Sequence, residues 1–323
     1  MPGPSRRRLP QLAGRPFLTD GGIETTLIFH EGVALPDFAA FDLLRHDAGR
    51  QLLERYYRAY LPIAARHGAG FILESATWRA SRDWGERLGY SPAALAEANA
   101  GAMALMARLR DEYAPSAGPL LLSGCVGPRG DGYVATARMT VPEAEAYHAE
   151  QVRALALGGA EFITAITMTY VAEAVGIVRA ARAVNLPVVI SFTVETDGCL
   201  PTGDTLEEAI AAVDLATGDG PAYYMINCAH PSHFGSRLRQ GERWTRRIRG
   251  LRANASRKSH AELNESADLD SGDPVELGRE YRELCRRLPW ISVLGGCCGT
   301  DHRHLAAIAE QVLPRDATAR SSA

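Results

Sequence analysis

One pattern constrains this chain above all others: eight times, a short apolar run is followed by a stretch with apolar residues at helical spacing. The runs occupy 17–20, 71–74, 120–124, 161–165, 187–193, 222–228, 250–253 and 290–295, the seventh being among the shortest. In the first helical stretch Leu52, Leu53, Tyr56, Tyr57, Tyr60, Ile63 and Ala64 recur on one face, and the pattern stops at His67-Gly68. In the second, Ser91-Pro92 supplies a cap and a first-turn proline ahead of Leu95, Ala98, Ala102, Leu105, Leu109 and Tyr113. Comparable patterns cover 142–157, 171–184, 205–217, 231–240, 274–287 and 301–313. Eight strand-then-helix units predict a closed (β/α)8 TIM barrel in the α/β class. An open doubly wound sheet would carry G-x-G-x-x-G after its first strand, and here that place reads Asp20-Gly21-Gly22-Ile23-Glu24-Thr25. The expected organisation is one domain over 17–313, with flexible tails at 1–16 and 314–323 and a long polar loop at 256–273 on the active face.

Barrel enzymes place their chemistry where the strands end, so the residues closing each run matter most. Cysteines close runs three, six and eight: Cys125, Cys228 and the pair Cys297-Cys298. The ordinary fate of a free cysteine is to be a small buried hydrophobe, and Cys285, inside a helical pattern, reads that way. Cys228 and Cys297-Cys298 are different, because glycines precede the pair and strands six and eight are separated only by strand seven. Three thiolates converging there would suit zinc, although the spacing alone is not a C-x-x-C pair. Zinc held by three thiolates is a poor Lewis acid toward water but accepts a fourth, exogenous thiol, which is chemistry for alkyl transfer to sulfur. A zinc hydrolase would more typically show H-E-x-x-H, which is absent; His230, His233, His302 and His304 flank the cysteines.

Composition narrows the partners. With a formal net charge of −3 and Arg-rich stretches offset elsewhere by acids, the chain lacks the basic surplus of a nucleic-acid binder. No apolar run approaches the ~20 residues of a membrane span, and the N-terminus has no signal-peptide core. The expectation is a cytoplasmic enzyme acting on small molecules, with six cysteines kept as thiols by a reducing compartment.

Together the motifs Leu18-Thr19-Asp20-Gly21-Gly22, Gly124-Cys125-Val126-Gly127-Pro128, Ser191-Phe192-Thr193-Val194-Glu195, Ile226-Asn227-Cys228 and Gly295-Gly296-Cys297-Cys298-Gly299-Thr300 resemble the homocysteine S-methyltransferase family. That family comprises zinc barrels shared by betaine- and S-methylmethionine-dependent enzymes and by the homocysteine domain of cobalamin-dependent methionine synthase. The resemblance runs from about residue 17 to 313 and implies zinc on Cys228, Cys297 and Cys298. It also implies that Asp20 binds the amino group of homocysteine and that Gly21 and the 75–77 segment, with Ser75 and Thr77, hold its carboxylate. Asn227 and Glu195 complete the expected substrate set.

The chain departs from the family after strand four. Where a glutamate that binds the substrate amine should stand, counting back from Ala172-Glu173 gives Ile166, with Glu195 or Glu74 as candidate replacements. Where betaine-dependent members carry a tyrosine after strand two, this chain has Glu74-Ser75-Ala76-Thr77-Trp78-Arg79, so Arg79 is a candidate partner for a substrate carboxylate. Trp78 and Trp84 offer aromatic faces for a cationic donor or for the core. The expected reaction moves a methyl group from an onium donor (S-methylmethionine, S-adenosylmethionine or a betaine) to a thiol, first of all homocysteine, giving methionine. Two rivals stay open: an S-alkyltransferase acting on another thiol, and a non-catalytic zinc or redox-sensing barrel.

Overall fold

The computed structural model describes residues 9–114, 118–136 and 138–313. Eight parallel strands close in sequence order into one barrel: β1 Phe17–Leu18, β2 Gly70–Glu74, β3 Leu120–Val126, β4 Phe162–Met168, β5 Val188–Phe192, β6 Tyr223–Asn227, β7 Ile248–Ala253 and β8 Val293–Gly296. The eight strands and their surrounding helices are those of the expected (β/α)8 TIM barrel. Its closure rests on β1, where Phe17 pairs with Val293 and Leu18 with Leu294 on one side, and with Gly70 and Phe71 on the other. The strand is short because Asp20-Gly21-Gly22 turns away into the top loop, yet Thr19 N–H still donates to the Leu294 carbonyl at 2.8 Å. The seventh strand is longer than its sequence pattern suggested and runs for six residues.

Helices cover the barrel as the periodicity required. Pro92–Tyr113 begins at a Ser91 side-chain cap, and Val141–Leu157 and Leu206–Thr217 begin with capping boxes from Thr140 and Thr205. One expected helix is mostly absent: between β6 and β7 only Pro231–Phe234 is α-helical, ending at Gly235, instead of 231–240. Phe234 and Leu238 are both fully buried, which supplied the helical spacing, but the chain reaches β7 through a turn at Gly241, whose φ is +109°, and a 3-10 helix, Arg243–Arg247.

Part of the segment expected as a tail packs against the barrel: Leu9 joins Phe17, Ile72, Phe162, Tyr223 and Val293 in a cluster plugging the N-terminal end of the barrel interior, while 13–15 are exposed. Gln11 in the 3-10 helix Pro10–Leu12 is buried there, donating to the Tyr223 hydroxyl at 3.3 Å while its carbonyl accepts from Ser292 at 2.7 Å. Residues 1–8 and 314–323 lie outside the described residues.

Toward the other end the interior changes from apolar to polar. Arg252, in β7, donates through Nη2 to Asp20 Oδ1 at 2.8 Å and through Nη1 to Glu74 Oε2; all three side chains are buried. Glu74 Oε1 also accepts from Ser123 Oγ at 3.2 Å, and Asp20 Oδ2 from the Tyr56 hydroxyl at 3.0 Å. Burial opposes the charge on Arg252, but Asp20 and Glu74 outweigh it and hold its pKa above the ordinary value. At the two carboxyls the balance reverses: burial outweighs the one guanidinium they share, pushing both above the usual carboxylate range.

Two stability outcomes follow. Leu9→Ala should lower stability by about 2–3 kcal/mol through the cavity left in the plug, read as a lower urea midpoint. Arg252→Met should cost about 3–5 kcal/mol near neutral pH by leaving two buried carboxylates without a cation. Unpaired buried carboxyls bind protons more tightly folded than unfolded, so the Arg252→Met deficit should shrink as pH falls; a pH-independent deficit in denaturation midpoints would contradict this account.

Candidate active site

The strand ends bring three sulfurs to one point at the polar end of the barrel. Cys228 follows β6 and Cys297-Cys298 follow β8, and their Sγ atoms all lie within 4.8 Å of one another. Cys228 Sγ and Cys297 Sγ are in direct contact, and Cys298 Sγ is 3.5 Å from Cys228 Sγ. Burial pushes the Cys298 thiol up to about 11, so without a cation beside it this sulfur stays protonated at neutral pH.

Local sequence explains this convergence. Cys228 adopts φ +54°, a left-handed conformation uncommon outside glycine, which turns it out of strand register toward β8. Its carbonyl is held by Asn254 Nδ2 at 3.1 Å, His260 Nε2 at 2.6 Å and Thr193 Oγ1 at 3.4 Å. On the other side the glycines before the pair permit close approach: a Cβ on Gly296 would fall on the Thr300 hydroxyl, and one on Gly22 would fall 2.5 Å from the Cys297 carbonyl. Gly22 N–H donates to the Thr300 carbonyl at 3.0 Å and Gly299 N–H to Thr25 Oγ1 at 3.1 Å, so the loops after β1 and β8 are tied together.

The cysteine cluster opens into a cavity of about 350 Å³ lined from nearly every strand end. Asp20, Gly21 and Ser75 are in its wall, as are Glu24, Arg79, Tyr133 and Ile166. The loop after β7 borders it through Ser256, Leu263 and Asp270. Thr77, Glu195 and Asn227, expected against substrate, are not part of the wall. Thr77 donates to the Cys125 carbonyl at 2.6 Å and ties the β2 loop to β3. Glu195 pairs with His260 Nδ1 at 3.2 Å, backing the ring whose other nitrogen meets the Cys228 carbonyl. Asn227 accepts from Ser191 Oγ at 2.6 Å and Thr167 N–H at 2.9 Å, and its Nδ2 lies 3.9 Å from Cys297 Sγ. Thr167, like Cys228, has a positive φ, +63°, and Asn227 braces both sides of that bend. Ser75 reaches the wall, although its hydroxyl is engaged by Thr77 Oγ1 at 2.7 Å and Cys125 N–H at 3.0 Å.

Neither candidate for the missing strand-four carboxylate is open to substrate: Glu74 is locked to Arg252 and Ser123, and Glu195 stands outside the wall. The faces of Trp78 and Trp84 are taken by Arg79, whose guanidinium carbon lies 3.9 and 3.8 Å from their ring centres. Arg79 Nη1 donates to the Gly130 carbonyl at 2.8 Å, its buried Nε has no partner among the described residues, and burial draws its pKa down to about 10.

Three groups in the site had gone unassigned. Arg252 could have been found as a lone cation inside one of the shortest apolar runs. Tyr133 brings its hydroxyl 3.4 Å from Cys298 Sγ and 3.6 Å from Cys228 Sγ, with its ring stacked on His260 at 4.1 Å. Burial pushes the Glu24 carboxyl up to about 7. Nothing local in the sequence marks these last two, because both matter through neighbours far along the chain.

The family model for homocysteine S-methyltransferase matches residues 17–312. No curated protein matches this chain. Among solved structures, the homocysteine methyltransferase MmuM from Escherichia coli is similar in its oxidized form at 22% identity and TM-score 0.74, covering 92% of this chain and 96% of that one. The metallated form covers 96% and 100% at TM-score 0.73, and the apo form 93% and 99% at TM-score 0.66, both at 22% identity. At that identity these likenesses show a shared barrel. Among the described residues no helix is long and apolar enough to cross a membrane. With the family model spanning all eight strands, this chain belongs to the homocysteine S-methyltransferase family and is a methyltransferase.

Proposed function

We propose that this enzyme methylates the thiol of homocysteine to give methionine, taking the methyl group from an onium donor and using zinc held by Cys228, Cys297 and Cys298. The observation that carries the reading is the meeting of three sulfurs from two strand ends, within 4.8 Å, in the wall of the barrel's substrate-sized cavity. The donor set fits zinc: three soft sulfur ligands with no carboxylate or imidazole in the cluster, leaving a fourth position for an external sulfur. The chemistry a bound zinc supplies is stabilisation of the substrate sulfur as thiolate at neutral pH, where a free thiol of pKa ~8.5 is mostly protonated.

The chain's own residues account for the rest. The Tyr133 hydroxyl and the Asn227 amide stand beside the ligand sulfurs and limit how they turn. Asp20, Gly21 and Ser75 form the part of the wall nearest the closure of the barrel. Arg79, with an unpartnered Nε, is placed to pair with the acceptor's carboxylate. The exposed rings of Phe29 and Phe38 at the mouth offer aromatic faces to a cationic donor. A second reading, transfer to a thiol without an α-amino group, draws on Ile166 standing in the wall in place of a carboxylate.

The test is zinc-edge X-ray absorption on reduced, zinc-loaded protein. Three sulfur ligands and one light atom should become four sulfurs on adding L-homocysteine. Cys298→Ser should remove one sulfur and abolish methionine formation. Three sulfurs unchanged by saturating homocysteine would rule out homocysteine as the acceptor.

A further inference from the structure

The cavity wall carries the carboxyl groups of Asp20, Glu24, Glu74, Asp131, Asp268 and Asp270, and they are not equivalent. Asp20 and Glu74 share Arg252. Asp131 accepts the backbone N–H groups of Tyr133 at 2.7 Å and Val134 at 3.1 Å, closing its own turn. Asp270 accepts from Ser256 Oγ at 2.6 Å, with Lys258 Nζ at 3.8 Å, and Asp268 is exposed on the rim. Glu24 differs: it is only partly exposed, yet among the described residues no side chain bonds its carboxyl, which meets only its own backbone amide.

Its position is fixed from both sides. Gly22 N–H is bonded to the Thr300 carbonyl and Thr25 Oγ1 accepts from Gly299 N–H, so the short helix Ile23–Thr25 is stitched to the turn that follows Cys298. Glu24 and Arg79 line the same cavity wall as the three cysteines. Thus the cavity holds one half-buried carboxyl and one buried guanidinium that, among the described residues, the fold leaves under-paired, in the wall that carries the sulfurs. Isolating a carboxyl from water is unfavourable unless a cation completes it. A ligand carrying an ammonium and a carboxylate on the same carbon would complete both.

We propose that Glu24 binds the α-ammonium group of the acceptor and selects amino-acid thiols over thiols without an amino group. This rests on the reading of homocysteine as acceptor. It explains how a wall with Ile166 at the mouth of β4, and with Glu74 and Asp20 tied to Arg252, still recognises an amine. Glu24 makes the contact from the first loop, three strands round the barrel from β4.

The test compares L-homocysteine with 4-sulfanylbutanoate, the same thiol without its amino group, by titration calorimetry and by KM and kcat on reduced, zinc-loaded protein. Wild type should prefer homocysteine by about ten- to hundred-fold, the range of one charge-assisted contact. Glu24→Gln should raise Kd and KM for homocysteine by that factor, leave 4-sulfanylbutanoate binding unchanged, and so erase the preference; Glu24→Asp should restore part of it. A Glu24→Gln variant that keeps the wild-type preference would overturn the role of Glu24 while leaving homocysteine as acceptor. Equal loss for both thiols would make Glu24 a structural residue and also overturn the proposal. A wild-type protein that binds the two thiols equally would instead remove the acceptor reading, and the ammonium site with it.

Discussion

Everything at this site depends on how the barrel closes. β1 is only two residues long, and its pairing with β8 continues beyond the strand through Thr19 N–H to the Leu294 carbonyl and Gly296 N–H to the Asp20 carbonyl. Those bonds set the Asp20-Gly21-Gly22 loop directly on the Cys297-Cys298 turn. A single Cβ at Gly22 or Gly295 would force them apart. The cysteine cluster, the wall carrying Asp20 and the helix bearing Glu24 therefore share one origin, and none of them is independent of the seam.

The interior makes a second division. Its N-terminal half is apolar, plugged by Leu9 and lined by Phe17, Phe162 and Tyr223; its C-terminal half is polar, built on Arg252 between Asp20 and Glu74. One guanidinium shared by two buried carboxyls occupies both groups geometrically. Asp20 thus has both oxygens engaged, by Arg252 and Tyr56, whereas Glu24 retains acceptor capacity. The same logic holds the strained Cys228: three donors on its carbonyl compensate for a backbone conformation that side chains rarely adopt.

What could be read before the fold was known divides along the range of the interactions. Strand and helix order followed from periodicity, because burial on one face imposes a repeat that any window of the chain records. The four-residue helix after β6 was misjudged because Phe234 and Leu238 are buried at helical spacing although the backbone between and beyond them is not helical throughout. Residues 9–16 read as a loose tail because two buried residues, Leu9 and Gln11, carry no period. Thr77, Glu195 and Asn227 were expected at substrate from the family resemblance and from the missing strand-four carboxylate; whether a side chain faces the cavity or braces its neighbour depends on partners up to 70 residues away in sequence.

The sequence by itself determined the barrel, the three cysteines that meet at its mouth and the family to which the chain belongs, since these rest on local repeats and on rare residues at strand ends. Only the tertiary structure decided which carboxyl groups are engaged and which remain open. Asp20, Glu74 and Arg252 lie as far as 232 residues apart along the chain, and Glu24 is distinguished solely by the absence of such a partner. Charge pairing is a property of distance in space, and no local pattern encodes it.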